Sequence, residues 1–93
     1  MPTNCPVAPR ININGTSPDD LKAANRAARV AVEAAIKAVE QTVPHGRDYQ
    51  TAPVGGAYAQ ARTEYYDRMS RLRTVLDELY RIAEDLHRQQ PGK

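Results

Sequence analysis

Seven consecutive residues, His45-Gly46-Arg47-Asp48-Tyr49-Gln50-Thr51, set an imidazole, a guanidinium, a carboxylate, a phenol and two neutral hydrogen-bonding groups side by side. Those are the parts needed to hold a phosphorylated ring compound. Arginine pairs in a fork with phosphate oxygens, tyrosine stacks on a base, and threonine and glutamine read polar edges. Gly55-Gly56 just downstream would let a ligand approach the backbone amides that open the next helix. His45, Arg47, Asp48, Tyr49 and Thr51 therefore form a first candidate ligand set. The plainer reading of the same string is a turn: an Arg47–Asp48 ion pair, with Tyr49 tucked over the end of a hairpin.

A second candidate is a band of cations. Lys22, Arg26 and Arg29 fall at i, i+4 and i+7 with no acid between Leu21 and Val32, and downstream Arg62, Arg68, Arg71 and Arg73 outnumber Glu64 and Asp67. Ten of the thirteen basic residues are arginine, which favours planar contacts to phosphate or carboxylate over diffuse attraction. If the two segments fold back about a tip near residue 50, Arg29 comes level with about Arg71. Arg26, Arg29, Arg68 and Arg71 would then share one zone. The competing expectation is a solvated face laced by i, i+4 pairs such as Glu64–Arg68 and Asp77–Arg81. Tyr66, beside Arg62, offers either a stacking surface or a contact for a partner helix.

Catalysis finds little to work with. His45 and Asp48 have the types of a base and its orienter, but neither a serine nor Cys5 has a placed partner, and His87 stands near the chain end. One cysteine and two histidines do not assemble a four-ligand zinc site, and Glu84–His87 gives the Glu-x-x-His spacing of bundle metal sites only once. The expectation is a protein that is not an enzyme and carries neither metal nor cofactor. A net charge of +2 is too small to draw the whole molecule to nucleic acid, and no short helix-turn-helix pair is present. No apolar run approaches the roughly 20 residues of a membrane span. A cytoplasmic protein that engages neither membrane nor nucleic acid is expected.

The elements that must position these residues are helices. Residues 1–16 hold three of the seven prolines and form an extended arm, with Ile11 and Ile13 expected to pin it onto a helix. Ser17-Pro18-Asp19-Asp20 combines a cap, a first-turn proline and two acids at the positive end of a helix dipole. A helix should run over about 18–43, with eight alanines between Leu21 and Val43 and Val32, Ile36, Val39 and Val43 on one face. Pro44 stops it, and 44–56 reads as a loop. From about 57 to 90, Tyr58, Tyr65, Leu72, Leu79 and Leu86 recur every seven residues, the sign of a second, longer helix.

The expected fold is all-α: an antiparallel two-helix hairpin over 17–93 with a proline-rich arm. A lone hairpin leaves a wide apolar stripe partly wet, so Tyr65, Met69, Leu72, Leu76, Leu79, Ile82 and Leu86 are expected at the interface of a homo-oligomeric helical bundle.

With its arm, hairpin, His45-to-Tyr49 loop and Arg-rich second helix, the sequence resembles small accessory proteins of bacteriophages and prophages. It is similar in size and layout, over residues 17–90, to the phage anti-CBASS sponges. That resemblance implies binding without turnover: sequestration of a cyclic nucleotide immune signal, with Arg47, Tyr49 and the basic band as contacts. The alternative is a helical module that docks on a host or virion protein.

Overall fold

The structure, a computed structural model, describes residues 6–50 and 55–89. Two helices pack against each other and the described residues contain no strand. Helix α1 spans Pro18–Glu40 and helix α2 spans Ala57–Arg88, with a short 3-10 helix, Gly46–Tyr49, between them. None of these helices is long and apolar enough to cross a membrane.

Helix α1 begins as its sequence dictates. The Ser17 hydroxyl accepts from the Asp20 amide at 3.1 Å, Pro18 occupies the first turn, and Asp19 and Asp20 face the exposed amides there. It ends three residues earlier than its periodicity predicts. A residue before proline avoids the α region, and the chain tightens ahead of Pro44 through i+3 bonds: Gln41 N to Ala38 O, Thr42 N to Val39 O and Val43 N to Glu40 O. Helix α2 starts after Gly56, whose φ of 86° is left-handed backbone that suits glycine.

Val32, Ile36 and Val39 of α1, with Val43 beyond it, meet Tyr65, Met69, Leu72 and Leu76 of α2, and Ile36, Tyr65 and Met69 are buried there. Toward the other end Leu86 retains only 1% of its surface. Tyr65, Met69 and Leu86, expected between subunits, are thus buried within one chain. The valine face of α1 already covers Tyr65 and Met69. Leu72 and Leu76 pack against the same core, and Leu79 and Ile82 are half-buried. The molecule is long and thin, with extents of 61 × 28 × 21 Å and a radius of gyration of 19.0 Å, against about 12 Å for a compact chain of this size. A two-helix hairpin has no inside beyond its seam.

The arm docks differently from the expectation. Ile13 is 96% exposed, while Ile11 is half-buried, so the isoleucine pair does not form the clamp. Gln89, just past α2, performs that task with its side-chain amide: Oε1 accepts from Ile11 N at 2.8 Å and Nε2 donates to Pro9 O at 2.8 Å. One side chain thereby satisfies a donor and an acceptor of extended backbone, as a neighbouring strand would. Asn12 then turns the chain, its Oδ1 accepting from Asn14 N and its carbonyl from Gly15 N.

Candidate functional site

The hairpin register decides which cations meet. Asn25 bonds to Leu79 and Gly46 lies against the Tyr58 ring, which places the fold-back about two residues beyond position 50. The segment after α1 runs on along α2 as a 3-10 turn instead of capping it. Arg29 therefore comes level not with Arg71 but several residues further along α2, and its guanidinium lies 4.8 Å from the centroid of the Tyr80 ring. Arg71 turns to Asp67 on its own helix at 3.1 Å, Arg68 is exposed, and Arg73 pairs with Glu40 across the seam at 3.5 Å. The expected four-arginine zone is not assembled. Arg26 is exposed on α1, outside the groove that Arg29 helps to line.

The His45-to-Gln50 string is also apart from that groove. Its residues Gly46–Tyr49 form the 3-10 helix with His45 at its N-cap. Tyr49 packs on Tyr58 with ring centroids 5.9 Å apart, and Arg62 lies 5.8 Å from the Tyr58 centroid on α2. Tyr49 thus anchors the hairpin end, as the plainer reading holds. Arg47 and Asp48 are exposed and no ion pair between them is formed among the described residues. Thr51 lies outside the described residues. Tyr58 and Tyr80 mark the loop and the groove on one helix, about 33 Å apart at 1.5 Å per residue.

What the register does assemble is a groove of about 660 Å³ between the open ends of the helices, lined by Lys22, Asn25, Arg29, Tyr80, Ala83, Glu84, His87 and Arg88. Its centre is Asn25, buried to 8%. The Asn25 carboxamide donates from Nδ2 to Leu79 O at 3.0 Å and accepts at Oδ1 from Arg29 Nε at 2.8 Å. Tyr80, under the same guanidinium, donates its hydroxyl to Glu33 Oε2 at 3.0 Å. Arg29 is thus fixed in position on two sides: an amide holds Nε in plane and a ring supports the guanidinium face. Its Nη groups have no protein acceptor among the described residues. Lys22 stands seven residues before it on the same face, and His87 and Arg88 approach from α2.

Sequence reasoning found Arg29 and Lys22 but missed Asn25, Tyr80, Glu84, His87 and Arg88 as their companions. One signal was available: Asn25 is a polar residue on the helix face that also carries Val32, Ile36 and Val39. A second groove, of about 760 Å³, lies further along the seam, where Val30, Glu33, Lys37, Glu40 and Arg73 surround Ile36 and Leu76. Its charges are mixed and two of them, Glu40 and Arg73, already neutralise each other. Among the described residues, the open-end groove gathers Lys22, His87 and Arg88 around a pre-set guanidinium, with Arg88 also bonded to Asp85 at 3.3 Å. No known protein family, curated protein or solved structure matches the chain.

Proposed function

We propose that this chain is a non-enzymatic, homo-oligomeric binding protein that sequesters a small anionic ligand, most concretely a cyclic nucleotide signal of bacterial immunity, in a phage anti-defence role in the host cytosol. The observation that carries the reading is the convergence of Lys22, Arg29, His87 and Arg88 on one groove, with Arg29 held by Asn25 and Tyr80. A guanidinium whose Nε is bonded and whose plane is supported loses little freedom when its Nη groups grip phosphate oxygens. The groove also falls within the size range of small-molecule sites, roughly 300 to 1,000 Å³. Binding so arranged needs no nucleophile or base, and sequestration asks for none.

Native mass spectrometry of the full chain against a panel of cyclic di- and trinucleotides tests this reading. The expected spectrum shows a defined oligomer that gains ligand mass in fixed ratio, with the gain lost in Arg29→Ala and kept in Arg47→Ala. An oligomer that takes up none of the panel defeats the proposal. The second reading, a helical module for a host or virion protein, is favoured by Val75, 43% exposed on α2. By helical spacing it lies on the side of the hairpin away from the groove, beside the alanines of α1. Under that reading nucleotides leave the melting temperature unchanged.

A further inference from the structure

We infer that Glu84 makes the open-end groove selective for ligands that carry hydroxyls beside their phosphodiesters: ribonucleotides in preference to their 2′-deoxy counterparts. The inference rests on the anion-binding reading of the groove and names what the groove distinguishes. Glu84 is the only acid among the lining residues. It is exposed, and it makes no hydrogen bond or ion pair among the described residues. Arg88, one turn further along α2 and well placed to neutralise it, bonds instead to Asp85 at 3.3 Å.

An unpaired carboxylate in a site built for an anion weakens that site by like-charge repulsion unless it meets a donor. An ionised carboxylate only accepts hydrogen bonds, and a phosphodiester has no O–H to give. A ribose does: its 2′-hydroxyl stands close to the phosphate that would lie on Lys22 and Arg29. The groove therefore offers two kinds of contact, the cations Lys22 and Arg29 on the α1 wall and an acceptor, Glu84, beside His87 and Arg88 on the α2 wall. A site that hydrogen-bonds a substrate hydroxyl rejects the analogue lacking it, because its own polar group is then left unpaired.

Isothermal titration of the full-length protein with cyclic di-AMP and cyclic di-GMP, each beside its 2′-deoxy form, tests the inference. The deoxy ligands are expected to bind about tenfold to a hundredfold more weakly, the range for one hydrogen bond to a charged group. Glu84→Ala should abolish the difference and, by removing a like charge, tighten the deoxy ligands. Glu84→Gln keeps an acceptor and should retain part of the discrimination. Equal affinity for both forms in the unaltered protein overturns the selectivity while leaving anion binding intact, as does a Glu84→Ala variant that weakens both forms alike. Absence of binding by any of the four ligands overturns the anion-binding reading, and the selectivity falls with it. Circular dichroism of the variants checks that the hairpin persists, as expected for an exposed position.

Discussion

At the scale of the residue, the side chain that organises the groove is a neutral amide. Asn25 is buried on a helix face otherwise given to aliphatic groups, a position that costs free energy unless its donors and acceptor are used. Its Nδ2 reaches the Leu79 carbonyl and its Oδ1 holds Arg29, so one residue fixes both the register of the hairpin and the direction of a cation. Asn25→Ala removes both bonds and leaves a small void at the seam. The expected loss is about 1 to 3 kcal/mol, read as a lower urea midpoint at unchanged m. Arg29→Ala removes only the half-buried outer part of the same network, leaving the Asn25–Leu79 bond in place, and should cost less stability. If the two variants unfold at the same urea concentration, Asn25 does not set the register.

At the scale of the element, much was legible in the sequence. Ser17, Pro18 and the two acids mark the start of α1, and the seven-residue recurrence from Tyr58 to Leu86 marks α2. What was not legible is where those helices stand relative to each other. Register depends on how the segment after Glu40 spends its length, and the turn from Gly46 to Tyr49 lies along α2 against Tyr58. With Asn25 facing Leu79, Arg29 comes level with about Val75, four residues beyond Arg71, and from there its side chain reaches the Tyr80 ring, which moves the whole site. Arm docking escaped for another reason: hydrophobicity pointed to Ile13, whereas the contact is made by the polar amide of Gln89. Gln89→Ala should therefore release the arm alone. The Ile11 amide, bonded to Oε1, is expected to lose its protection in hydrogen exchange while amides in the middle of α1 and α2 exchange as before. Unchanged protection at Ile11 means that something other than Gln89 holds the arm.

At the scale of the whole molecule, the seam alone is a slender basis for stability. Among the described residues four apolar side chains are buried, Ile36, Tyr65, Met69 and Leu86, along a body 61 Å long, and small domains with so little core commonly gain the remainder by association. The two sides of the hairpin differ in what they offer a second copy. One carries the groove with Lys22, Arg29, Tyr80, Glu84 and His87. By helical spacing the other joins Ala24, Ala28, Ala31 and Ala35 of α1 to Leu72, Val75, Leu79 and Ile82 of α2, uninterrupted by charge. Alanines let helix backbones approach closely, and this strip, about 16 Å long on each helix and bounded on α2 by Arg68 and Arg71, can seat a second copy over the middle of the hairpin. A dimer closed through this side is a four-helix bundle with both grooves facing outward, so association and ligand capture do not compete. Val75→Glu places a charge in the middle of that side, at a residue the single chain leaves 43% exposed. The expected outcome in light scattering coupled to size exclusion is a fall from dimer to monomer mass with the helical circular dichroism signal largely kept and a lower, less concentration-dependent melting temperature. A dimer that survives Val75→Glu unchanged would move the interface to the groove side, where a second copy would cover Arg29 and exclude the ligand.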